Sequence, residues 1–144
     1  MNQIIEVAGQ IHQRHWKMTG NASHGTKLAQ QVNREWQEAL RRNDSGINIR
    51  FEVQISASLK QRIDIVDDDD HTAYELKVSP NNGHFEFHKD TFKILIYNKN
   101  NEHKLKRLVF ITPLAASEKL KRGLGKESVD VVKEYGIAVK IVGI

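Results

Sequence analysis

The chain contains no cysteine. That excludes disulfide staples, cysteine-ligated zinc and thiol catalysis, and it is compatible with a reducing compartment, so a cytoplasmic location is expected. Two prolines and nine glycines in 144 residues leave little material for a flexible linker, a collagen-like repeat or a long disordered tail. No run approaches the roughly 18 consecutive apolar residues that span a bilayer. The opening segment MNQIIEVAGQIHQRHWK lacks a charged leader before an apolar stretch, so neither membrane insertion nor secretion by a cleaved signal is expected. What is left points to a single domain over residues 1–144, whose 39% hydrophobic content suffices for one core and not for two.

The charge is unevenly placed. Twenty-two Lys and Arg face 18 Asp and Glu, for a net +4. Five of the acids crowd into Asp64–Asp70 (DIVDDDD), and the 22 basic and 13 acidic residues elsewhere leave the rest of the chain at +9. A basic body around one acidic spot suits a nucleic-acid enzyme, with cations for phosphates and carboxylates for a metal. Charge alone favours the plainer reading of a soluble basic protein with an acidic surface loop.

Periodicity supplies the elements. Ile4, Ala8, Ile11, His15 and Met18 recur at helical spacing, predicting a helix over residues 3–18 that ends at the polar TGNASHG. A second helix over about Thr26–Arg42 carries Leu28, Val32, Trp36, Ala39 and Leu40 on one stripe, and Glu35 falls within that stripe, an odd place for an acid. Ile47, Ile49, Phe51, Val53 and Ile55 alternate with polar residues, the period-2 pattern of a strand with one wet face. Two short strands, Arg62–Val66 and Thr72–Val78, flank the acidic loop and predict an antiparallel hairpin. After the turn signal SPNNG come a helix over about His88–Asn100, keyed on Phe92, Leu95 and Ile96, and a strand over Arg107–Thr112 stopped by Pro113. A short helix capped by Ser128 and ended by Gly136, then the strand IAVKIVGI, complete the chain. Three strands in a meander followed by two helical crossovers imply an α/β fold with a mixed sheet flanked by helices.

The hairpin carries the chemistry. In YELKV, Glu75 and Lys77 project to one face while Tyr74, Leu76 and Val78 face the other. If Val66 pairs with Ala73, the antiparallel register sets Asp64 opposite Glu75 on that same face, so two carboxylates and an ammonium converge. Facing carboxylates repel and favour a divalent cation, for which Mg²⁺ is the natural candidate. The string Glu-x-Lys is weak, and a second copy at Glu102–Lys104 lies in the polar run NKNNEHKLK, where a solvated loop explains it. Context distinguishes the first copy.

At these residues the chain resembles the PD-(D/E)XK phosphodiesterase superfamily, which includes restriction endonucleases, junction resolvases and nuclease toxins. The likeness runs from about residue 26 to 112 in αβββαβ order, and it implies a restriction endonuclease-like core with an extra N-terminal helix and a C-terminal αβ extension. It further implies that Asp64 and Glu75 ligate Mg²⁺, with Mn²⁺ able to substitute, and that Lys77 assists the attacking water. Glu35 matches the additional acid that many members draw from the first core helix; a salt bridge to Arg50 is the rival reading. Ile63 stands where the motif's Pro would be. Lys89, Lys93 and Tyr97 match helix positions that contact the nucleic-acid backbone. The function implied is a metal-dependent endonuclease leaving 5′-phosphate and 3′-hydroxyl ends, with DNA the expected substrate over RNA and no membrane partner. A homodimer is expected for cutting both strands, and an immunity or modification partner fits the class. The alternative is a catalytically inactive nucleic-acid-binding module of the same fold.

Other motifs read as structure. Asp67–Asp70 favour a solvated turn over metal ligation, His84 and His88 lack further ligands at zinc spacing, and the one of His12 and His15 nearer the apolar stripe reads as packing. Trp16 and Trp36 read as core or interface aromatics.

Overall fold

Helices and strands alternate much as periodicity predicts in a computed structural model that describes residues 2–19, 26–43, 46–79 and 82–144. Residue 1 and the segments 20–25, 44–45 and 80–81 lie outside the described residues, as do the side chains at 17–19, Met18 among them, and at 26. The elements are α1 (Gln3–Thr19), α2 (Thr26–Arg42), β1 (Ile49–Gln54), β2 (Arg62–Asp67), β3 (Thr72–Leu76), α3 (Gly83–Asn100), β4 (Arg107–Thr112), α4 (Leu114–Glu134) and β5 (Ala138–Gly143).

The five strands form one mixed sheet in the order β1-β2-β3-β4-β5. The first three are an antiparallel meander, and β4 and β5 join in parallel, as helical crossovers require. Val66 pairs with Ala73, the predicted hairpin register. Alternation along β4 sends Val109 and Ile111 to a core with α1 and α2, and Leu108 and Phe110 to a second core with α3 and α4. The first core is anchored by Trp36, fully buried on α2, whose Nε1 donates to the Ile4 carbonyl of α1 at 2.9 Å.

Three sequence expectations need correction. β1 does not keep one wet face: Glu52 adopts a left-handed backbone (φ 49°). Ile49 and Phe51 before it pack toward α1 and α2, whereas Val53 and Ile55 after it join the opposite core. On the partner strand the same switch falls at Asp64, between Ile63 and Ile65. The third helix begins at Gly83, and it buries Phe87, Asp90, Thr91, Lys93, Ile94 and Tyr97 while Phe92 is 64% exposed. A buried stripe that is half polar is invisible to an apolar count. Finally, α4 starts at Leu114 directly after Pro113 and breaks at Gly125 (φ 62°), so Ser128 lies inside its second segment instead of capping it. The glycines of RGLGK masked a helix that tertiary packing sustains. Gly136 (φ 80°) ends it as predicted.

Replacing Trp36 by Phe should destabilise the protein by about 1–3 kcal/mol, because the indole's buried hydrogen bond to the Ile4 carbonyl is lost and the larger indole volume is not refilled. Urea unfolding of both proteins checks this, and equal midpoints would show that the α1–α2 contact does not depend on this bond.

Candidate functional site

The β2–β3 ladder runs only from Asp67↔Thr72 to Ile65↔Tyr74. One step further the two strands separate. The Leu76 N–H donates to Asp64 Oδ2 at 3.0 Å, and the Lys77 N–H turns to the Ile111 carbonyl of β4 at 2.8 Å. A side-chain carboxylate thus replaces a backbone acceptor at the point where the sheet opens, and the opening is a cavity of about 600 Å³ between α2 and α3. Its walls carry Arg34, Arg41, Lys77, Lys89 and Lys93 against Glu52, Asp64, Glu75, Glu86 and Asp90.

Asp64 faces α2. The same Oδ2 accepts from Asn33 Nδ2 at 3.0 Å; Asn33 Oδ1 accepts from Gln37 Nε2 at 2.7 Å, and Gln37 also donates to Glu52 Oε1 at 2.6 Å. One polar row on α2 therefore holds the two strand positions at which β1 and β2 change face. Sequence reasoning missed this row, although Asn33 and Gln37 stand four apart beside the buried Val32 and Trp36.

Glu75 faces α3 and is almost wholly buried, so it does not share a face with Asp64 as the predicted register implied: the ladder ends before that pair, and Asp64 turns to α2. Lys93 Nζ lies 2.5 Å from its Oε1 and 3.0 Å from Asp90 Oδ1, and it donates to the Arg62 carbonyl at 2.7 Å. Burial, and then the charges of Asp64 and Asp90, push the Glu75 carboxyl well above the usual carboxylate range, although Lys93 pulls the other way. Burial likewise raises Asp90 to about 6 against the pull of Lys93. Burial opposes the charge on Lys93, but Glu75 and Asp90 outweigh it and the net shift is upward.

Lys77 sits at the mouth, 3.6 Å from Glu86 Oε1, and Lys89 lies 2.5 Å from Glu86 Oε2. Burial raises the Glu86 carboxyl, yet the two lysines more than compensate and its pKa is lowered.

Of the sequence-predicted residues, Asp64, Glu75, Lys77, Lys89 and Lys93 line this one cavity. Lys93 is not presented for backbone contact, because its ammonium is spent on the buried acids. Tyr97 is buried, and its hydroxyl accepts from Arg50 at 2.8 Å, so it belongs to the core. Glu35 is not on the cavity wall: its carboxylate is 2.6 Å from His15 Nε2 and accepts from Gln31 at 3.2 Å, and the His15 bond, foremost, lowers its pKa. Glu35 is not buried as its place in the stripe implied: its side chain is 31% exposed and meets α1 through His15. Arg50 pairs with Asp68 at 2.6 Å, so the alternative partner proposed for Glu35 is otherwise engaged. The acidic loop is a turn in which Asp67 Oδ1 accepts from the Asp69 and Asp70 N–H groups, both at 3.1 Å. Asp90 was not anticipated; its only signal is the i, i+3 spacing to Lys93.

Among the described residues no group of three or more His, Asp or Glu side chains is arranged to hold a metal ion. Mg²⁺ asks for less, being bound through one or two carboxylates and several waters. Asp64 and Glu75 fit that demand: both reach the cavity, and the charge of Asp64 raises the cost of charge on Glu75, which a divalent cation would relieve. Compared with models of known protein families, with curated proteins and with solved structures, the chain matches none.

Asp90 makes stability pH-dependent. With its carboxyl held near 6, the folded protein keeps a proton that the unfolded chain has released above the ordinary carboxylate range. Asp90 therefore weakens the fold as pH rises from about 4 to about 6, and the cost is complete above that. Asn at this position is never charged. Between pH 4 and pH 8, in EDTA, the D90N-minus-wild-type difference in unfolding free energy should move in the mutant's favour by about 2–3 kcal/mol. A difference independent of pH would mean that Asp90 titrates normally.

Proposed function

We propose that this protein is a Mg²⁺-dependent nuclease of restriction endonuclease-like architecture that hydrolyses phosphodiester bonds, with DNA as its substrate. The observation that carries this reading is the meeting of Asp64, Glu75 and Lys77 on one polar cavity, at the point where β2 and β3 part. The order α2-β1-β2-β3-α3-β4, with an antiparallel meander followed by a parallel strand, is the αβββαβ order that the sequence resemblance implies.

Asp64 and Glu75 would hold the metal. When bound, Mg²⁺ would supply Lewis-acid polarisation of the phosphodiester and a water acidified toward hydroxide. The remaining chemistry belongs to the chain. Lys77 stands at the mouth, where its ammonium can stabilise negative charge developing on a phosphate, and Glu86 holds it there without burying it. Arg34, Arg41 and Lys89 rim the same opening and supply phosphate contacts. The guanidinium of Arg41 is held 4.4 Å over the Phe51 ring, which limits its wandering. A second copy of the chain would serve to cut the opposite strand of a duplex.

A second reading, a catalytically inactive nucleic-acid-binding module, is favoured by one observation: Lys93 already neutralises Glu75. Incubating the protein with supercoiled plasmid, a four-way junction and tRNA, in Mg²⁺, Mn²⁺ or EDTA, separates the two. Cutting that EDTA abolishes supports the nuclease; binding without cutting under every condition supports the module. Lys77→Ala should lower the cleavage rate by about 10²-fold or more with the fold intact by circular dichroism, and activity within a few-fold of wild type would remove Lys77 from the reaction. Glu35→Gln should leave the Mg²⁺ concentration for half-maximal cleavage unchanged while lowering the melting temperature, since its partner is His15; a shifted metal requirement would return Glu35 to the metal.

A further inference from the structure

Lysines are rarely buried unless paired, and the side chain of Lys93 is only 9% exposed. Its ammonium nitrogen lies close to three oxygens: it donates to the Arg62 carbonyl at 2.7 Å and forms ion pairs with Glu75 Oε1 at 2.5 Å and Asp90 Oδ1 at 3.0 Å. The Arg62 carbonyl lies on β2, two residues before Asp64, so this single side chain of α3 spans from the Glu75 strand to the Asp64 strand. The cluster holds three carboxylates, Asp64, Glu75 and Asp90, and one ammonium. Fully ionised, these four groups leave two negative charges, the count that one divalent cation matches.

We propose that Lys93 is the fixed counter-cation of the carboxylate cluster and sets its metal affinity: by neutralising one of the three acids it lowers the affinity for a divalent cation. This rests on the metal-dependent reading above. Lys93 is a positioning residue in this scheme, acting through Glu75 and not on the substrate. A like charge this close to the ligand carboxylates opposes a second cation with little screening, because the site is buried.

The consequence runs opposite to that of an ordinary structural lysine. Removing a residue that merely supports the site loosens it and weakens metal binding. Removing Lys93 should instead tighten it. The test is calorimetric titration of the intact chain with Mn²⁺, together with melting temperatures in EDTA and in Mn²⁺, for wild type, Lys93→Met and Lys93→Arg. Lys93→Met should melt lower than wild type in EDTA, recover more of that loss on adding Mn²⁺, and bind Mn²⁺ about tenfold more tightly or better, whereas Lys93→Arg should retain wild-type affinity. If Lys93→Met does not fold, the same comparison is made between D90N and D90N/K93M, where one fewer buried acid is left unmatched. Wild type that binds Mn²⁺ while the Met variant binds it equally or more weakly overturns the role of Lys93 and leaves the metal site standing. Failure of every variant and wild type to bind Mn²⁺ overturns the metal site, and this inference with it.

Discussion

The bond from the Leu76 N–H to the Asp64 carboxylate governs this molecule. Where β2 and β3 would continue their ladder, a side chain takes the acceptor position and the strands are released from each other. A buried backbone N–H cannot be left without a partner, so a sheet can open in its interior only if another group satisfies the donor. Asp64 is that group. Its substitution for a backbone carbonyl leaves the gap that becomes the cavity, while the Lys77 N–H continues the pairing of β3 with β4.

The other peculiarities of the region follow from the same opening. Glu52 and Asp64 are the positions at which β1 and β2 exchange the faces they present, and the Asn33–Gln37 row of α2 ties both down. On the opposite side, Glu75 is almost wholly buried, and α3 answers with Lys93 and Asp90 instead of the apolar residues that a helix normally lays on a sheet. Buried ion pairs seldom strengthen a fold, because desolvation offsets the attraction. The upward shifts at Glu75 and Asp90 indicate that here the offset is incomplete. A sheet built for stability alone would fill this place with leucine or valine; the residual electrostatic strain is what a cation-binding reading requires.

Much of this architecture was legible in the chain. The hairpin register and the faces of Glu75 and Tyr74 follow from alternation alone, since a one-residue slip would have turned Ala73 and Tyr74 to the wrong cores. The first core helix and β4 fall where periodicity puts them, because their buried faces are almost purely apolar. The third helix resisted because the face it buries is chosen by the charge of Glu75, a partner far away in sequence. Phe92, the strongest apolar signal in that segment, points to solvent instead.

Glu35 marks the limit most clearly. Its angle on the α2 wheel lies within the apolar stripe, yet its side chain is 31% exposed and meets α1 through His15; a helix packed between a sheet and another helix has two walls and a margin, and periodicity does not say which is which. The amino-acid pattern by itself determined the order of the elements, the pairing of Val66 with Ala73 and hence that Asp64, Glu75 and Lys77 lie at one end of the hairpin, because these depend on local periods and on a short turn. Which α2 residue meets Asp64, and that Lys93 reaches Glu75 instead of solvent, only the tertiary structure decided. Those contacts depend on the rotation of helices about their own axes, which is set by packing summed over both cores and is encoded in no single segment.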